Sequence, residues 1–330
     1  MTDLAETRTP EDEAEATTMA VVVPPPALSG RRRRREDPDI DRGIISPSER
    51  RRLSVRLGLI VLGILVIGTL AIVAAGPILW LAKSSISTTQ DILRQPFAWW
   101  PSGVQWENLT DAWFGIDVSR ALLNTVYIAA GNWALGLLVS LTGGYVLAIL
   151  RPRYAGVLTS LVLATLFIPS VVSLVSLYLT VIEVPLLNVN LIDTFWSVWL
   201  PSAATAFNVL LVKNFFEGLP MEVFEAARVD GANSFDIFLR IVLPMSKPII
   251  GVVSLLTLVS AWKEFLWPLL VLPSPDLQPL SVVLYKSANT AETAVLIAGM
   301  FISVIVPLLL FLVFQKQFLR SAGQAGAIKG

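Results

Sequence analysis

LGLIVLGILVIGTLAIVAAGPILWLA, residues 57–82, runs without a charge from just after Arg56 to just before Lys83. At ~1.5 Å per residue, a helix of that length covers the ~30 Å of bilayer hydrocarbon. Backbone groups in lipid must be satisfied within the segment, so this stretch is expected to be a membrane-spanning helix. Five more apolar stretches follow it, and the six are placed at about 57–82, 121–150, 156–181, 193–212, 248–272 and 292–315. Only Arg151-Pro152-Arg153 and a few neighbours separate the second from the third. The expected fold is an all-α polytopic membrane protein with six transmembrane helices. Composition agrees: the chain is 54% hydrophobic and 15% charged, where soluble domains lie near 45–50% and 25%.

The segment before the first span differs from everything after it. Residues 1–52 are rich in Pro, Thr, Arg and acidic residues, with Pro24-Pro25-Pro26 and the run Arg31 to Arg35. They cannot bury enough apolar surface to offset chain entropy, and a disordered cytoplasmic N-terminal tail is expected. The arginines read as a juxtamembrane basic stretch that fixes orientation against lipid, not as a nucleic-acid contact. Residues 53–330 then form the transmembrane domain. With the N-terminus inside, 20 of the 25 Lys and Arg residues fall in cytoplasmic segments. The positive-inside rule therefore places both termini in the cytoplasm. Trp99, Trp100, Trp106 and Trp113 in the outer segment suit a membrane interface.

Several chemistries are excluded. The chain has no cysteine and no histidine, so thiolate nucleophiles, disulfides and the usual metal ligand and general base are missing. It has no G-x-x-x-x-G-K-S/T loop to cradle nucleotide phosphates. Gly143-Gly144 lies inside an apolar span, where it reads as helix packing. No catalytic, metal or cofactor site is expected in this chain.

The cytoplasmic loop at 213–247 is the most informative polar segment. Its stretch PMEVFEAARVDGANSFDIFLRIVLPMSKP, residues 220–248, reads as two short helices joined by a turn. Pro220 suits the first turn of a helix, Glu222 and Glu225 its N-terminal half, and Gly231 its C-cap. Ser234 is expected to cap the second helix and Pro244 to stop it. Phe224, Val229, Phe235, Phe238, Leu239 and Val242 supply apolar faces. The spacing alone fits either a surface for a cytoplasmic partner or a plain interhelical loop.

Glu225-Ala226-Ala227, then three residues, Gly231, nine residues and Ile241-Val242-Leu243-Pro244 resemble the EAA loop of ABC importer permeases. The resemblance extends over about 53–330. It is nearest to the second permease subunit of the maltose-type carbohydrate branch, through Asn214 to Pro220, Ala261 to Leu269 and the closing Gly326 to Gly330. Lys263 stands where that branch more commonly has asparagine. The resemblance implies a type I importer fold and coupling to an ATPase through Glu225, Ala226, Ala227, Asp230 and Gly231. It also implies a second permease subunit, a pair of ATP-binding cassette subunits that use ATP and Mg, and an extracellular solute-binding protein.

Candidates for the solute path are Trp262, Lys263, Glu264, Trp267 and Asn208. Lys263 and Glu264 lie about 16 residues into the fifth span, or ~24 Å along it. Ionisable groups at such depth usually face protein or a water-filled cavity. The alternative is an interfacial anchor, with Lys263 snorkelling and the tryptophans in the aromatic belt. Asn208 reads either as a path residue or as a bond between helices. The expected activity is passage of a carbohydrate, with a polyol, a glycerol phosphate ester or another polar solute as alternatives. An ion-coupled transporter would need paired broken helices with ionisable residues near the midplane, and no duplicate of the Lys263-Glu264 element is evident.

Overall fold

A computed structural model describes residues 53–185 and 187–327, with side chains described as far as 309 and at Leu312. The tail at 1–52 and the last three residues, which include the end of the Gly326–Gly330 motif, lie outside the described residues. The chain divides into two compact units, residues 1–67 and 68–330. The described residues are helical, with only an isolated bridge between Val184 and Val189.

Helix α1, Leu53–Ser85, has an apolar stretch of mean hydropathy 2.8 with none of it buried. A helix apolar all round and unburied is suited to lipid. Helix α2, Val118–Tyr145, continues through a π turn at Val146–Leu150 and is the second helix long and apolar enough to cross a bilayer. It ends where Arg151 takes a left-handed conformation at φ 44°.

Three of the other expected spans are interrupted. Between α3, Ala155–Thr165, and α4, Ser170–Ile182, the chain bends by 107°. Pro169 sits at this break, where it lacks an N–H and forces Ile168 away from helical geometry. The stretch expected at 193–212 is two helices, α5 Trp196–Ala203 and α6 Ala206–Glu217, parted at Ala204 and extended Thr205. The stretch expected at 248–272 is α9, Lys247–Lys263, then a break at extended Glu264 and Phe265, then α10, Leu266–Val271. Between α6 and α9 lie α7, Met221–Val229, and α8, Ser234–Met245. A 77° bend separates α8 from α9. Helix α11, Leu280–Ser287, leads to α12, Thr293–Ala327, a continuous helix that is apolar over its fully described part, Thr293–Leu309. Among the described residues, two helices are thus long and apolar enough to cross, or four if each bent pair is one span.

Helix α2 is the hub, packing against α5, α6 and α9, while α9 packs against α12. Small residues set these approaches. A Cβ on Gly144 would stand 2.6 Å from Val212 Cγ1 and 3.1 Å from the Lys213 backbone nitrogen, and one on Gly131 would meet the Trp199 ring at 2.1 Å. Glycine at both positions lets α6 and α5 lie close along α2.

Candidate functional site

Two features stand out: the short helices α7 and α8, and a polar cavity bordered by the two helix breaks.

Helix α7 is closed by a Schellman turn. The Ala232 N–H donates to the Ala227 carbonyl at 2.9 Å and the Gly231 N–H to the Arg228 carbonyl at 3.1 Å. Gly231 supplies the required left-handed geometry at φ 84°. Helix α8 is capped by Asn233, whose side chain accepts from the Phe235 and Asp236 amides at 2.9 Å. Ser234, the expected cap, is instead the first helical residue, because Asn233 already has the extended geometry a cap needs. The helix passes through a π turn at Phe238–Val242 and ends at Met245, one residue past Pro244, before the bend into α9.

The two faces of this element differ sharply. Phe224 is 0% exposed, and Ala227, Ile237 and Val242 are buried with it among Tyr145, Phe216 and Ile249 at the ends of α2, α6 and α9. The Tyr145 hydroxyl donates to the Ser234 carbonyl at 2.8 Å, and its ring lies 4.9 Å from Phe238. The opposite face leaves Glu225, Ala226, Asp230 and Gly231 exposed. Beside them are Val229 at 88% and Phe235 at 68% exposure. Of the six apolar residues read from the sequence, Phe224 and Val242 face the core, whereas Val229, Phe235 and Leu239 do not. Ala227 belongs with the inner set, leaving Ala226 as the small residue on the outer face.

The cavity measures about 310 Å³ and is lined by α2, α5, α6 and α9. From α9 come Thr257, Ser260, Ala261 and Glu264, a stripe at i, i+3, i+4 and i+7. Ser202 and Thr205 enter from the α5–α6 break, Asn208 from the first turn of α6, and Asn132 from the middle of α2. The Asn208 amide donates to the Thr257 hydroxyl at 3.2 Å, so it joins two helices and lines the cavity as well. Asn132 is 3% exposed, and its Oδ1 has no hydrogen-bond partner. Irregular backbone at membrane depth is tolerated where it borders a cavity, which suits the breaks at Thr205 and Glu264.

The remaining path candidates are elsewhere. Trp267 is buried and donates to the Ser197 carbonyl at 2.9 Å, while Trp262 donates to the Ser303 carbonyl at 3.3 Å. Both indoles tie helices together. Lys263 is exposed and is not among the cavity residues. The aromatic side chain at the cavity is Phe207. Asn132, Thr257, Ser260, Ser202, Thr205 and Phe207 were not singled out from sequence, though the polar stripe ending at Glu264 was there to be read.

Broken apolar helices thus border a polar cavity that one carboxylate, that of Glu264, lines, and the two-faced element α7–α8 is ordered at the surface. Residues 140–323 match the family described as binding-protein-dependent transport system inner membrane component. The probable ABC transporter permease protein YurM of Bacillus subtilis is 32% identical over 267 residues, covering 78% of this chain and 85% of that one. The lactose transport system permease protein LacG of Rhizobium radiobacter is 27% identical, covering 80% and 94%. The diacetylchitobiose uptake system permease protein NgcG of Streptomyces coelicolor is 28% identical, covering 84% and 89%. The fold is similar to a chain in the crystal structure of a bacterial ABC transporter involved in the import of the acidic polysaccharide alginate. That match has a TM-score of 0.71 at 23% identity and covers 81% of this chain and 98% of that one. The chain belongs to the binding-protein-dependent transport system inner membrane component family.

Proposed function

We propose that this chain is a permease subunit of an ATP-driven ABC importer, forming part of the membrane path for a carbohydrate. Family membership and the sugar-transport relatives support the class. The observation that carries the mechanism is the two-faced element α7–α8. Its inner face is fixed in the core by Phe224 and Val242, while Glu225, Ala226, Val229 and Phe235 are offered outward.

In this reading α7 is a coupling helix that docks on an ATP-binding cassette subunit, where ATP and Mg are used. Closure of the ATPase pair moves α7, and the packing of Phe224 and Tyr145 passes that movement to α2, α6 and α9. Binding the two permease conformations with different affinity is what drives the change. A second permease subunit completes the path, and an extracellular solute-binding protein delivers solute. The six apolar stretches serve as six crossings with both termini cytoplasmic, the bent and broken ones closing up against the partner permease. The chain itself does no covalent chemistry.

The test uses the absence of native cysteine. In the assembled importer, Ala226→Cys should form a cross-link to an ATP-binding subunit whose yield changes with ATP. A cysteine at Ala226 that reaches no such subunit in any nucleotide state would remove the coupling role.

A further inference from the structure

The cavity carries an inference about solute chemistry, which rests on the permease reading above. Its wall combines the groups that a sugar ring needs. Phe207 offers an aromatic face, Asn132 and Asn208 offer amides, and Thr257 and Ser260 offer hydroxyls. Hydroxyl groups of a solute both donate and accept, and such a wall can answer both. A volume near 310 Å³ lies at the low end of the ~300–1,000 Å³ typical of small-molecule sites.

Charge is the sharper discriminator. Among the described residues, Glu264 is the single ionisable one lining the cavity. Four helix ends meet at the two breaks beside it: the C-termini of α5 and α9 and the N-termini of α6 and α10. Their partial charges, at most roughly −0.5 and +0.5 each, oppose one another and leave the carboxylate to set the sign. Lys263 does not line the cavity and makes no ion pair among the described residues. Glu264 is held in place, since its Oε1 accepts from the Trp267 amide at 3.2 Å and its carbonyl from the Ser281 hydroxyl at 2.8 Å.

We propose that this chain contributes its own solute subsite at the cavity, and that Glu264 makes it select neutral polyhydroxylated solutes and reject anionic ones. The likeness to the alginate importer bears on the fold alone. The preference for charge follows from the residues lining this cavity, and a phosphate, sulfonate or uronate group would meet a carboxylate there.

The test reads the cavity directly and needs no knowledge of the transported sugar. Ser260 stands one helical turn from Glu264, and Ser260→Cys introduces a single thiol in this chain. In the assembled importer in lipid vesicles, its modification is timed with three methanethiosulfonates: trimethylammonioethyl, hydroxyethyl and sulfonatoethyl. The same complex without Ser260→Cys serves as background, and rates are divided by those for a free thiol. The cationic and hydroxyl reagents should outpace the anionic one by about tenfold or more. Glu264→Gln, which keeps the acceptor for the Trp267 amide, should bring the anionic rate up to the neutral one. An unreactive thiol would overturn the subsite, and a charge ratio unmoved by Glu264→Gln would overturn the role of Glu264. These rates do not require coupling to ATP hydrolysis, so failure of the coupling-helix reading would leave them unchanged.

Discussion

Replacing Gly231 isolates the turn that sets the geometry of the docking element. Nothing lies within 4 Å of where a Cβ would be placed, so alanine there meets no steric obstacle. The cost is conformational. At φ 84° an ordinary L-residue loses about 1–2 kcal/mol, while asparagine visits this region more readily. One to two kcal/mol is roughly a 5–30-fold change in a two-state ratio. The Ala232 amide, bonded to the Ala227 carbonyl at 2.9 Å, reports on the turn itself. Hydrogen exchange at that amide in the intact complex should accelerate about 5–30-fold in Gly231→Ala and distinctly less in Gly231→Asn. Solute-stimulated ATP hydrolysis should fall in the same order, with Gly231→Val lowest. Equal exchange in the alanine and asparagine variants would show that left-handed geometry is not what this position supplies.

Three further outcomes follow from the same packing. Asn233→Ala removes the cap from α8 and should lower stability by about 1 kcal/mol, whereas Ser234→Ala should be near neutral in the same thermal unfolding assay. Gly144→Ala drives a methyl against Val212 and the Lys213 backbone, and should destabilise by about 1–3 kcal/mol in detergent-solubilised protein. Asn132→Leu removes a buried acceptor that lacks a partner, so its melting temperature should hold or rise.

How much of this was legible in the sequence depended on whether local chemistry or tertiary packing made the decision. The turn at Gly231 was readable, because a glycine after an amphipathic nine-residue helix has a specific local use. The cap of α8 was misplaced by one residue, since Asn233 and Ser234 are both good caps and only backbone geometry separates them. The π turn at Phe238–Val242 was invisible, because such a turn leaves no compositional mark. Hydropathy also passed smoothly over the breaks at Ala204–Thr205 and Glu264–Phe265. Apolar residues flank both breaks, and a lipid-facing run and a helix broken around a cavity average alike. Pro169 marks the break between α3 and α4, inside an apolar run that averages as one continuous span. At the cavity, Asn208 and Glu264 were noticed for their polarity. Thr257 and Ser260 are small hydroxyls that ordinarily bond their own helix and so drew no notice. Trp262 and Trp267 drew attention as possible sugar-stacking rings, but their indole N–H groups are bonded to neighbouring helices, and the ring at the cavity is Phe207.

The central claim is that this chain moves solute on energy delivered by ATP through α7. Solute uptake into vesicles holding the complete importer tests it most directly, with ATP supplied inside and ion gradients collapsed by ionophores. Uptake should persist without the gradients, require ATP hydrolysis, and fall when Glu225 or Gly231 is replaced. Uptake that stops with the gradients and ignores ATP would contradict it, and would make the outward face of α7 a loop without a coupling partner.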